Sequence, residues 1–145
     1  PAFEVEMTSG ATKDEFMRRK PSEVSLSQRD YIDIVFRMAL IESISNSGGT
    51  LVLDGPEGSI DAVFARRAGS LLEAFSSQKS INSISACNIV DGDFIPSVLS
   101  GFATEVERES RIINLMKIAV PTAASSQLSK EYTKKISDIL QVEIE

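Results

Sequence analysis

Thr50-Leu51-Val52-Leu53-Asp54-Gly55-Pro56-Glu57-Gly58-Ser59-Ile60-Asp61 is a short apolar run that ends in an acid, turns tightly and reaches a second acid. An unbroken Leu51-Val52-Leu53 run between turn formers predicts a central parallel strand buried on both faces, with Asp54 at its carboxyl end. Open α/β sheets bind ligands at that end. A carboxylate there can hold Mg²⁺ through water, because Mg²⁺ keeps most of its hydration and takes only one or two protein carboxylates beside phosphate oxygens. Asp54 is therefore the first candidate for a nucleotide-metal residue.

The flanks supply the rest of an alternating pattern. Upstream, Ser27 with Asp30 resembles a capping box, and a helix is predicted through Ile32, Val35, Phe36, Met38, Ala39 and Ile41 to about Asn46. Ser47-Gly48-Gly49 breaks it. Downstream, Asp61 is a natural cap for a helix whose buried side carries Val63, Phe64, Ala68, Leu71, Leu72 and Phe75, with Arg66 and Arg67 facing water or a partner. Further strands are predicted at Ile81–Cys87 and Ile112–Ala119, and further helices at Asp93 to about Phe102 and Ser126–Leu140. At the amino-terminal end, Phe3–Met7 alternates like a half-exposed strand, and Thr8–Glu23 is expected to be a long loop. Such alternation implies a mostly parallel sheet with helices packed on it. No internal repeat or domain boundary divides residues 1–145, so they are expected to form a single domain.

Composition narrows the chemistry. With 145 residues, 42% of them apolar, the chain can bury a core of ordinary size. It has no histidine, which removes imidazole catalysis and the usual zinc sets and leaves carboxylates, hydroxyls and backbone amides. The single cysteine, Cys87, excludes an internal disulfide and fits a packed strand residue better than a nucleophile. A net charge of −6 without a basic stripe argues against tight nucleic-acid binding by this domain itself. No apolar run is long enough to span a bilayer and no signal peptide is evident, so a cytoplasmic location is expected. Asp91 and Asp93 lack the further spacing of a calcium loop.

Val24-Ser25-Leu26-Ser27-Gln28-Arg29, a long apolar helix, the Asp54 strand and Asp61 follow one another in an order that resembles the signature motif, Walker B and D-loop succession of ABC-type ATPase heads. The resemblance is to the SMC-like and RecN-like group associated with DNA repair and chromosome maintenance. It implies a three-layer, P-loop NTPase-like α/β fold, of which this chain is the C-terminal half. Ser25 matches the signature serine, and Ser27 stands where the family has its second glycine, with Gln28 and Arg29 following; Leu26 replaces the first glycine. Asp54 matches the Walker B aspartate, Pro56 a usual proline, and Asp61 the D-loop aspartate. Where the family has a glutamate directly after the aspartate this chain has Gly55, and where it has the switch histidine this chain has Asn88.

By that resemblance Asp54 holds Mg²⁺ through water, and Ser25, Ser27 and Gln28 form the part of the ATP site presented to an opposite head. Helix N-termini suit that role because their amides are unpaired and carry partial positive charge. Asp61 couples the two sites. Glu57 is the nearest spare carboxylate for orienting the attacking water. Two residues of chain displace its backbone by up to roughly 7 Å, so this role requires the turn to fold back. Taken by themselves, Ser25 and Ser27 also suit plain helix caps, and Asn88 a strand-end turn ahead of Asp91.

A phosphate loop of the form G-x-x-x-x-G-K-[ST] is absent from these residues. The expectation is therefore the C-terminal lobe of a split head, inactive by itself and completed by a Walker A lobe on the same polypeptide or another subunit. The completed protein is expected to hydrolyse ATP between two heads in a homodimer, with any DNA contact made by other regions. Two alternatives stand beside it: a non-hydrolysing, ATP-dependent dimerisation module, and an unrelated protein-interaction domain.

Overall fold

The computed structural model describes residues 6–7, 17–18, 21–44, 47–78, 80–89 and 93–141. Two short strands, β1 (Glu6–Met7) and β2 (Met17–Arg18), pair antiparallel, and a 3₁₀ turn at Pro21–Glu23 leads into the first long helix. The remainder of the predicted Phe3–Met7 strand and most of the predicted Thr8–Glu23 loop lie outside the described residues.

Helix α1 (Leu26–Ile44) starts from a capping box two residues earlier than the sequence suggests. Ser25 Oγ accepts from the Gln28 amide at 3.2 Å, and the Ser25 amide donates to Gln28 Oε1 at 3.0 Å. The longer glutamine side chain reaches back where Asp30 has no such role, and Ser27 is released for a different partner. The described helix ends at Ile44; Asn46 lies outside the described residues.

Strand β3 (Gly49–Asp54) follows, then one turn of helix α2 (Pro56–Ser59), helix α3 (Ala62–Ser76) and strand β4 (Ile81–Ala86). β3 and β4 pair in parallel with Leu51 opposite Ser83, Val52 opposite Ile84 and Asp54 opposite Ala86. Among the described residues this sheet has two strands.

One face of the pair is covered. Leu51 and Leu53 pack with Ile34 and Met38 of α1 and with Ala65, Ala68, Leu72 and Phe75 of α3. Ser76 Oγ on α3 lies 2.6 Å from Ser83 Oγ on β4, the partner of Leu51, which places α3 on this face of both strands. The other face is open. Val52 is 61% exposed and its neighbour Ile84 60%, which corrects the expectation of a strand buried on both faces. The apolar run was right for a strand and wrong for its surroundings, because period alone cannot say which layers are present.

Asp61 caps α3 as predicted, its side chain accepting from the Val63 amide at 2.9 Å. Ala65, Ala68, Leu72 and Phe75 turn inward, whereas Val63 is exposed at the first turn. Helix α4 (Phe94–Leu99) crosses α3 closely at Gly69. A methyl group on Gly69 would lie 2.5 Å from the Phe94 carbonyl oxygen and 2.7 Å from Ser97 Cβ. Only hydrogen fits between these backbones.

Helix α5 (Glu105–Ser110) begins with a reciprocal Thr104–Glu107 capping box. The predicted strand at Ile112–Ala119 is instead a loop with one helical turn, α6 (Leu115–Ile118), capped by Asn114. Ile113, Leu115, Ile118 and Val120 are all exposed there. Helix α7 (Ala123–Gln141) closes the described chain, held at its end by Arg108, whose Nη1 donates to the Leu140 carbonyl at 2.7 Å.

Gly69→Ala should lower unfolding stability by about 1–3 kcal/mol through overpacking. Gly58→Ala, whose added methyl meets nothing within 4 Å, should change it by no more than about 0.5 kcal/mol. Urea denaturation followed by circular dichroism checks both.

Candidate functional site

The parallel ladder continues one residue past the strands. The Gly55 amide donates to the Ala86 carbonyl at 2.8 Å, and there the chain reverses. Gly55 adopts φ 60° and ψ 36°, the left-handed region that costs L-residues roughly 1–2 kcal/mol. Pro56 begins α2 with its φ already suitable for a helix and no amide to satisfy. The Gly58 amide closes the turn on the Gly55 carbonyl at 3.1 Å.

This reversal carries Glu57 back to the end of β4. Its Oε1 accepts from the Asn88 amide at 2.7 Å, and the residue is only 9% exposed. Glu57 Oε2 is buried and, among the described residues, has no oxygen or nitrogen partner, the Cys87 thiol being the polar group beside the carboxylate. A buried carboxylate oxygen without such a partner forfeits hydration with little compensation, which marks Glu57 as the most unusual acid among the described residues. Gly55 and Glu57 are thereby linked: a glutamate at position 55 would be strained, while the turn that excludes it brings another glutamate to the mouth of the sheet.

Cys87 lies against the same carboxylate, a neighbour 30 residues away in sequence that no local pattern connects with it. Burial first, then the charge of Glu57 and a hydrogen bond to it, push the Cys87 thiol up to about 12 from an ordinary 9.0. The thiol is protonated at neutral pH, which makes it a weak nucleophile and a compatible neighbour for an anion.

Asp54 projects from the open face of the sheet and is exposed, in register with Ala86. It suits a hydrated cation bound through water. Among the described residues no group of three or more acidic, cysteine or histidine side chains is gathered for a metal, so a cation at Asp54 would depend on phosphate oxygens and water for its other ligands.

Ser25 is exposed at the start of α1, with Ser27 and Gln28 half-buried beside it. Ser25 and Gln28 are engaged with each other in the capping box, so the plain capping role accounts for both contacts. Ser27 does something else. Its Oγ accepts from the Asp61 amide at 2.7 Å, across 34 residues of sequence. The structure thus joins four of the predicted residues in two pairs, Ser27 with Asp61 and Glu57 with Asn88. Arg66 and Arg67 are exposed on α3, and Arg111 is exposed with its guanidinium 4.8 Å from the Phe102 ring centre.

Comparison of the chain with models of known protein families, with curated proteins and with solved structures returns no match. No described helix is long and apolar enough to cross a membrane.

The Cys87–Glu57 contact has a pH signature. Well below pH 9.0 the thiol is protonated both folded and unfolded and contributes no slope. As pH rises from there toward about 12 the unfolded chain releases the proton first, so stability falls. Glu57→Gln removes one upward influence and should lower the native thiol pKa, accelerating alkylation by iodoacetamide at pH 9; a Cys87→Ser control should lose the thiol-dependent part of the slope.

Proposed function

We propose that this chain is the signature and Walker B lobe of an SMC-like, ABC-type ATPase, which binds ATP and Mg²⁺ between two engaged heads and hydrolyses it slowly. The observation that carries the reading is the reversal at Gly55. It brings a carboxylate, Glu57, to the carboxyl end of a parallel strand three residues after an exposed aspartate, the end of the sheet at which α/β proteins bind ligands. Supporting it is the open sheet face bearing Val52 and Ile84: purely parallel sheets are covered on both sides. The missing cover suits a second lobe, the one expected to carry the phosphate loop, and would complete a three-layer, P-loop NTPase-like fold.

In this reading Asp54 holds the hydrated cation, whose charge offsets that of the phosphates. Ser25, Ser27 and Gln28 present the N-terminus of α1 to the γ-phosphate of the opposite head, where the partial positive charge of the helix end favours an anion. Asp61 couples the two sites and Glu57 orients water. Asn88 stands at the switch position, and its amide restrains Glu57. The assembled protein is a cytoplasmic homodimer of heads acting in DNA repair or chromosome maintenance, with DNA held by other regions.

A second reading is favoured by the same Glu57. One of its oxygens is already committed to the Asn88 amide and the whole side chain is enclosed, which suits a non-hydrolysing module that engages on ATP without turning it over.

Phosphate release separates the two in the chain joined to its phosphate-loop lobe. The hydrolytic reading predicts that Asp54→Asn and Glu57→Gln each lower the rate at least about 100-fold. Equal rates in both variants and wild type would eliminate it. Ser25→Arg should abolish ATP-induced dimerisation in light scattering while leaving nucleotide binding to the other lobe intact, and undiminished dimerisation would remove the trans role.

A further inference from the structure

The Ser27 hydroxyl is spent on neither its own helix nor solvent alone. It accepts the Asp61 amide at 2.7 Å, while Asp61 in turn caps α3 through the Val63 amide at 2.9 Å. A serine hydroxyl has two lone pairs and one proton, so accepting from Asp61 leaves its proton free to donate. The start of α1 and the start of α3 are therefore connected by one side chain and one amide. Ser25, two residues away, has no comparable reach, since its hydroxyl serves the Gln28 amide in the same turn.

Local preference does not demand this contact. Asp61 would cap α3 without Ser27, and α1 is already capped by Ser25 and Gln28. The bond is instead tertiary, and of the two residues between the α2 turn and α3 it acts on Asp61, the Ile60 amide being bonded to the Pro56 carbonyl. A glycine at position 27 would offer no hydroxyl and leave the Asp61 amide to water.

We infer that Ser27 is a positioning residue that sets the Asp61 loop from the start of α1 and transmits displacement of one helix terminus to the other. The inference rests on the nucleotide reading for the nature of its trigger: an anion taken up at the Ser25–Gln28 turn is felt at Asp61. The serine in place of the family's glycine is then a strut between two parts of the interface.

Two measurements test it. In the chain itself, amide exchange by NMR should show Asp61 exchanging about fivefold faster in Ser27→Ala, the scale expected for one lost hydrogen bond, and near wild type in Ser27→Thr. Mid-helix amides of α1 and α3 should stay unchanged, which separates loss of the strut from misfolding. An unchanged Asp61 rate in Ser27→Ala overturns the strut.

In the chain joined to its phosphate-loop lobe, Ser27→Ala should raise the ATP concentration for half-maximal dimerisation about tenfold, with Ser27→Thr restoring it and nucleotide affinity of the other lobe unchanged. Wild-type and Ser27→Ala proteins that dimerise at the same ATP concentration overturn the coupling and leave the nucleotide reading standing. A wild-type protein that never dimerises with ATP overturns that reading, and the trigger with it, while faster Asp61 exchange would still support the strut.

Discussion

Gly55 holds its backbone at φ 60°, and the path of the next six residues follows from that angle. With the amide of Gly55 still bonded to Ala86, the chain cannot continue beyond the sheet and folds back over its end. Pro56 stiffens the first step, Glu57 meets the Asn88 amide, and Ile60 enters the core before Asp61 starts α3. A residue with a Cβ at position 55 would carry a left-handed penalty of roughly 1–2 kcal/mol, a large part of a domain's marginal stability. The same turn thus ends β3, installs a buried acid and aims the following helix.

The second constraint is the asymmetry of the β3–β4 pair. Leu51 and Leu53 lie under α1 and α3, whereas Val52 and Ile84 face outward side by side. Antiparallel sheets commonly leave one face to water, but parallel ones seldom do. An exposed valine or isoleucine by itself is ordinary; two in register on a parallel pair, beside the aspartate that ends the strand, form a coherent surface. The proposed phosphate-loop lobe would supply the layer that this surface lacks.

Much of the frame was legible from sequence because its signals are local. Asp61 announces α3 through a side chain that reaches two residues on, and the spacing of Ala65, Ala68, Leu72 and Phe75 identifies its inner face. The β3 strand is clear from its bounding glycines and acid. Its exposure is not, since Val52 carries no record of what lies above it. Ser25 and Ser27 offer two overlapping caps, and choosing between them depends on Gln28 being long enough to return and on Asp61 arriving from 34 residues away. The apolar stretch at 112–120 has no strict alternation, and Asn114 there starts a helical turn where a strand was expected. At the candidate site, the exposed strand end at Asp54 and the cap at Asp61 are local features, but the burial of Glu57 and its contact with Cys87 depend on a left-handed glycine that the sequence permits without requiring.

The account turns on whether the open sheet face is an interface within a nucleotide-binding head. A Val52→Cys substitution in a Cys87→Ser background places one thiol at its centre, and maleimide labelling reports its accessibility directly. In the chain alone the thiol should react at the rate of an exposed cysteine, and in the chain joined to its phosphate-loop lobe at least about tenfold more slowly. Equal rates in the two would contradict the account.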